Sequence, residues 1–160
     1  MNTNAMQRAD FAAIANWIKP GARVLDLGCG DGSLLRFLAE QRDSIGYGVE
    51  IDDAGVLACV NNGVNVVQGD MERGLSGFAD DSFDMVYAPY LISVVPDPVQ
   101  VACEMRRVCR PGGRIIFLNH FLSPNLLVSR FERLISPFTI HVGFKADLDL
   151  SAFLAQSALE

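Results

Sequence analysis

Three groups of residues have types and spacing that could do chemistry. The first is the turn Asp26-Leu27-Gly28-Cys29-Gly30-Asp31-Gly32. Glycines let a backbone pass close to a ligand with no Cβ in the way. A helix that starts just after such a turn presents free N–H groups to an anionic group. A plain tight turn between a strand and a helix needs the same glycines, so the cluster alone says little. The second group is Glu50, within Gly48-Val49-Glu50-Ile51-Asp52. A carboxylate about 20 residues beyond a glycine turn can accept two hydrogen bonds from ribose hydroxyls. A solvated carboxylate at a loop edge would look no different. The third is Asp70-Met71, a carboxylate for an adenine amino group beside a side chain that packs on the ring. Alone, Asp70 reads as an ordinary turn residue. Together, in order and each closing a strand, the three describe a nucleoside cleft. Chance places one such residue easily and all three much more rarely.

These residues need a scaffold that brings strand ends to one edge. Phe11, Ile14, Ala15 and Ile18 fall at helical spacing, so 9–19 is expected as a helix stopped by Pro20-Gly21. Arg23–Leu27 is a short apolar strand, and Ser33–Glu40 a helix after the glycine turn. A second strand is expected over Ile45–Ile51, then a helix capped by Asp53 through Asn61 and closed by Gly63. Val64–Val67 is a third strand and Phe83–Ala88 a fourth. Asp97 and Pro98 open a helix to about Cys109 that stops at Pro111-Gly112-Gly113. Arg114–Leu118 is a fifth strand, 125–135 a further helix and 150–159 a last one. Near-continuous apolar strands alternating with helices indicate an α/β protein with a parallel sheet covered on both faces. Its ligand is expected beyond the carboxyl ends of the strands.

Bulk properties narrow the class. The chain has 160 residues, half of them apolar, which suits one domain over 1–160. The net charge of −6 and the pI near 4.8 lack the overall basic footprint of a nucleic-acid binder. Met1–Asp10 is polar, so no secretory signal is expected, and no apolar run is long enough to span a bilayer. Cys29, Cys59, Cys103 and Cys109 form no CxxC pair, and His120 and His141 lie far from them. Reduced thiols in a cytoplasmic protein without a metal site are expected.

RVLDLGCGDGSLL, GYGVEID, VNVVQGD and DDSFDMVYA resemble the class I S-adenosylmethionine-dependent methyltransferases. From about Ala9 to Phe83 the likeness is closer to the MetW family of methionine-biosynthesis proteins. APYLISVVPDP, MRRVCRPGGRIIFLNHF and GFKADLDL instead resemble bacterial phosphatidylethanolamine N-methyltransferases. The resemblance implies a three-layer Rossmann-like fold with sheet order 3-2-1-4-5. It also implies a C-terminal β6-β7 hairpin, which is expected to be missing from this sequence, with truncation as one reading, because the given residues end where a sixth strand would be expected to begin. The fifth strand is then expected as an edge open to a second copy or a protein partner.

The implied cofactor is S-adenosylmethionine, held by Asp26, Gly28, Cys29, Gly30, Glu50, Ile51, Asp70, Met71 and Ala88. In this role the glycine turn takes the methionine end and Asp26 organises the turn. The implied reaction is methyl transfer to a small amine or a phospholipid headgroup. Tyr90, Asn119 and His120, which come after the fourth and fifth strands, are the candidate acceptor-side and catalytic residues. His120 either takes the acceptor's proton or makes a structural hydrogen bond in its loop. The apolar stretch 125–138, with Arg130 and Arg133, is read as a helix packed on the sheet in preference to one lying on a membrane. Two other readings stand beside the enzyme. One is a MetW-like partner subunit that keeps the cleft. The other is a dehydrogenase-type nucleotide module, which the GxGxG spacing after Asp26 disfavours.

Overall fold

The structure, a computed structural model, describes residues 3–89, 91–92, 94–118 and 150–157, without the side chains of 3–9, 72 and 150–152. Its elements are α1 (Thr3–Asn16), β1 (Arg23–Leu27), α2 (Ser33–Arg42), β2 (Ile45–Glu50), α3 (Asp53–Asn61) and β3 (Asn65–Gln68). A 3-10 turn at Met71–Arg73, β4 (Phe83–Pro89), α4 (Pro98–Val108), β5 (Cys109–Leu118) and α5 (Leu150–Ser157) complete them. The five strands form one sheet in the order β3-β2-β1-β4-β5, every pairing parallel.

Both faces of the sheet are covered, because period-two alternation sends neighbouring side chains to opposite sides. Val24, Met85 and Tyr87 pack beneath α1, α2 and α3 with Ile14, Leu34, Leu35, Leu38 and Cys59. Leu25, Leu27, Val86 and Ala88 pack against α4 and α5 with Val101, Ala102, Met105 and Phe153. The helices on the first of these faces lie close to the sheet because β2 is cut down to glycine. A Cβ at Gly46 would stand 3.0 Å from Leu35 Cδ2, and one at Gly48 would stand 2.3 Å from Cys29 Sγ.

Several boundaries differ from the pattern-based expectation. α1 ends at Asn16, and Trp17 and Ile18 turn tightly onto the carbonyls of Ile14 and Ala15. Pro20 disfavours helical geometry in the residue before it, so the helix closes early. The cap of α3 is Asp52, not Asp53. Asp52 is still extended, and its side chain accepts the Gly55 N–H at 3.0 Å. β3 is shifted one residue later, to Asn65–Gln68. Pro111-Gly112-Gly113 does not separate helix from strand but lies inside β5. The register passes from Phe83↔Cys109 to Met85↔Arg114, so the extra residues form a bulge in which Gly112 takes φ +75°. The expected helix over 125–135 lies outside the described residues.

One side chain holds the long segment between β3 and β4. The Arg107 guanidinium donates to both oxygens of Glu104, to Asp80 Oδ1 and to the carbonyls of Leu75 and Phe78, at 2.7–3.0 Å. Glu104 Oε2 in turn accepts the Leu75 N–H at 2.9 Å. All five guanidinium donors are used, so the part of the loop that follows the 3-10 turn is latched to α4. Replacing Arg107 by Met strips two carbonyls and two carboxylates of their partner. We expect a loss of about 2 kcal/mol, read as a lower urea midpoint at unchanged slope. An unchanged midpoint would show that the latch is not holding the loop.

Candidate nucleoside-binding site

The carboxyl ends of β1, β2 and β3 meet at one edge. β1 runs into the glycine turn, where Gly28, Gly30 and Gly32 have φ of +79°, +55° and +74°, the left-handed region that glycine occupies without strain. A Cβ at Gly28 or Gly30 would meet nothing within 4 Å, so open space stands directly above both. Gly32 is different. Its Cβ would meet Cys59 Sγ and Val64 Cγ2 at 3.0 Å, so this glycine packs inward against α3 and the segment after it.

The backbone donors of the turn are largely committed. Gly28 and Cys29 both donate to the Val49 carbonyl, at 2.8 and 3.2 Å. Gly30 N–H donates to Glu50 Oε2 at 2.8 Å. Glu50 Oε1 accepts the N–H groups of Ile51 and Asp52 at 2.9 and 3.0 Å. Glu50 therefore binds the turn to the end of β2 and the start of α3. A carboxylate offers about four lone-pair sites, so three donors leave one, on Oε2, for a ligand hydroxyl.

Cys29 does not face the open side. It is buried beside Cys59, with the sulfurs 3.6 Å apart, and Cys59 Sγ donates to the Gly30 carbonyl at 3.2 Å. Burial, and then the neighbouring Cys59, pushes the Cys29 thiol well above its ordinary range, and burial raises Cys59 too. Both stay protonated, as packing groups and not nucleophiles. Asn62 Nδ2 donates to the Asp31 carbonyl at 2.9 Å, a second tie from the α3 side to the turn.

Asp26 lies under the turn, paired in register with Gly48 on one side and Tyr87 on the other. It is only 2% exposed, and its Oδ1 has no hydrogen-bond partner. Burial, with the Glu50 charge as the smaller cause, raises it to about 7. Asp70 comes after β3 and pairs with Arg73 at 3.6 Å, and Met71 packs on the core in the 3-10 turn. Ile51 is 61% exposed beside Glu50, whereas Ala88 is fully buried in β4. The structure thus gathers Asp26, the glycine turn, Glu50 and Ile51 at the ends of β1 and β2, with Asp70 and Met71 at the end of the adjoining β3. Tyr90, Asn119 and His120 lie outside the described residues. Sequence reasoning missed Asn62, Cys59 and Gly55. The signal available for Gly55 was a glycine in the first turn of a helix, where it costs stability and needs a reason.

An open-topped glycine turn, a carboxylate at the end of the next strand and another after the third define the cofactor cleft of the class I S-adenosylmethionine-dependent methyltransferases. The family model of methionine biosynthesis protein MetW matches residues 8–122, so the likeness runs through β5 and not only to Phe83. The chain belongs to the MetW family within that class. It is 31% identical over 144 residues to a phosphatidylethanolamine N-methyltransferase of Cereibacter sphaeroides, covering 88% of this chain and 71% of that one. It is 35% identical over 109 residues to the bifunctional methionine biosynthesis protein MetXA/MetW of Rhodopirellula baltica, covering 63% of this chain and 18% of that one. The solved YcgJ protein of Bacillus subtilis shares the fold at a TM-score of 0.72 and 22% identity, covering 93% of this chain and 66% of that one. The chain thus spans about two thirds of that solved protein and under a fifth of the bifunctional one.

The residues present fit the cofactor of this class. The space above Gly28 and Gly30 admits a ligand chain, and the buried Asp26 Oδ1 below the turn is left without a hydrogen-bond partner. The buried Asp26 also sets a pH dependence. Between its unfolded value near 3.9 and about 7, the folded protein holds a proton that the unfolded chain has released, so stability falls as pH rises through that window. Asp26→Asn removes this titration. We expect thermal melts of the ligand-free variant to gain on the parent as pH goes from about 4.5 to about 8, by a few kcal/mol at most on the order of the shift. A difference independent of pH would place the Asp26 titration elsewhere.

Proposed function

We propose that this protein is a single-domain methyltransferase that passes a methyl group from S-adenosylmethionine to a small amine or a phospholipid headgroup. The observation that carries the reading is the Glu50 carboxylate, which draws the ends of β1 and β2 together below the open glycine turn. In this reading the free site on Glu50 accepts from the ribose, Asp70 and Met71 hold the adenine, and Gly28 and Gly30 let the methionine part lie close to the backbone. Ile51 covers the exposed side of the ribose. Bound S-adenosylmethionine supplies a methyl group already activated on a sulfonium, so the chain's own work is to place the partners and exclude water. Tyr90, directly after β4, and Asn119 and His120, directly after β5, are the acceptor-side residues of this reading. The likeness to the Cereibacter sphaeroides enzyme supports a phospholipid headgroup as acceptor. Four free thiols suit a cytoplasmic setting, and among the described residues no helix is long and apolar enough to cross a membrane.

A second reading rests on a separate observation. The MetW family match, and a relative in which such a segment is part of a bifunctional MetXA/MetW chain, favour a cofactor-binding partner subunit that methylates little or nothing. In that reading the outer strand β5 is the edge offered to the partner or to a second copy.

Titration calorimetry is expected to show micromolar binding of S-adenosylhomocysteine and no response to NAD. Glu50→Ala should weaken that binding about tenfold or more, the worth of a charge-assisted hydrogen bond. Unchanged affinity would remove Glu50 from the ribose. Labelled S-adenosylmethionine with phosphatidylethanolamine vesicles then separates the two readings. Label in the lipid supports the enzyme, and retained cofactor binding without transfer supports the subunit.

A further inference from the structure

We propose that Gly55, in the first turn of α3, is a positioning residue that sets where the Glu50 carboxylate stands. The inference rests on Glu50 being the ribose acceptor. Gly55 has no positive φ, so the backbone conformation does not demand glycine there. Its N–H is bonded to the Asp52 side chain, which any residue but proline could do. Space demands it instead. A Cβ on residue 55 would stand 2.8 Å from Glu50 Cγ, 3.3 Å from Glu50 Cδ and 3.1 Å from the Gly30 carbonyl oxygen.

The tightest of these neighbours, Glu50 Cγ, cannot yield cheaply. Glu50 Cγ is mid-chain, and the carboxylate beyond it is fixed by the N–H groups of Gly30, Ile51 and Asp52. The Gly30 oxygen is backbone and is held by Cys59. Nor can α3 retreat. Gly55, Cys59 and Asn62 lie at i, i+4 and i+7 on one helix face. Cys59 and Asn62 bond the carbonyls of Gly30 and Asp31 from that face. The helix is thus pulled onto the turn by two donors, and the missing side chain at 55 is what makes room for Glu50 beside them. An added methyl pushes the Glu50 stem, and the carboxylate leaves its three donors and its ligand position together.

The test is calorimetric, on the full chain. Gly55→Ala is expected to bind S-adenosylhomocysteine about tenfold more weakly, while the analogue lacking both ribose hydroxyls binds parent and variant alike. Adding Gly55→Ala to Glu50→Ala is expected to cost little further, because the side chain at the 2.8 Å contact is gone and only the 3.1 Å approach to the Gly30 oxygen remains. Equal loss for both ligands would mean that residue 55 merely packs the helix, and unchanged binding would mean that Glu50 is not displaced. Either result overturns the proposal. If Glu50→Ala alone leaves S-adenosylhomocysteine binding intact, the ribose assignment is what fails. Should Gly55→Ala not fold, the double variant still decides. It should fold and bind as Glu50→Ala does, and failure to do so would put the conflict at the Gly30 carbonyl and overturn the role given to Gly55.

Discussion

The Glu50 carboxylate is the knot on which the site depends. Three backbone N–H groups from three different places end on it: Gly30 from the turn, Ile51 from the end of β2 and Asp52 from the cap of α3. Hydrogen bonds to a charged group contribute about 1.5–3 kcal/mol each where water is scarce, and a half-buried site gains less. Their geometric effect matters more. A parallel sheet aligns strand ends only roughly, and this carboxylate fixes two of them and the next helix relative to one another.

That knot can close only because the neighbouring layers come very near. Gly46 and Gly48 clear the surface of β2 for Leu35 and Cys29, Gly32 clears the turn for Cys59, and Gly55 clears α3 for Glu50 itself. Interiors pack to crystal-like density, so each missing side chain is filled at once by a neighbour. The exceptions within the turn are Gly28 and Gly30, where nothing fills the space. Those two mark the open wall of the cleft, and a ligand is what their bare backbone suits. Below them, Asp26 breaks the rule that buried polar groups find partners. A buried carboxylate without a donor costs stability, and its place directly under the open turn is where such a cost has a use.

The family likeness and the geometry bear on different halves of the problem. MetW likeness, phosphatidylethanolamine N-methyltransferase likeness and the cleft all converge on the cofactor side, which the first three strands build. The acceptor-side residues we propose follow β4 and β5 in the chain, and loops commonly carry specificity while the scaffold stays. The Arg107 latch on the loop before β4 belongs to the scaffold, since it ties that loop to α4 and leaves the strand ends free.

The order of elements was legible in the sequence. Hydrophobic period and turn residues are local signals, so β1 and the start of β4 agree with the pattern, while the sheet order agrees with what the family resemblance implied. The carboxylates at the ends of β2 and β3 were legible for the same reason. Errors arose where two local signals compete or where a distant partner decides. Asp52 and Asp53 are equally good caps on paper, and the extended backbone at Asp52 selects it. Pro111-Gly112-Gly113 reads as an interruption, yet pairing with β4 absorbs it as a bulge. The direction in which Glu50 points, the clearance left by Gly55, the inward turn of Cys29 and the bonds of Arg107 to Leu75, Phe78 and Asp80 join residues that the sequence keeps apart. The sequence by itself determined which residue types reach the ligand edge. Only the folded packing decided which of their atoms remain free to bind, because a lone pair or a bare Cα is available only if no neighbour has already taken it.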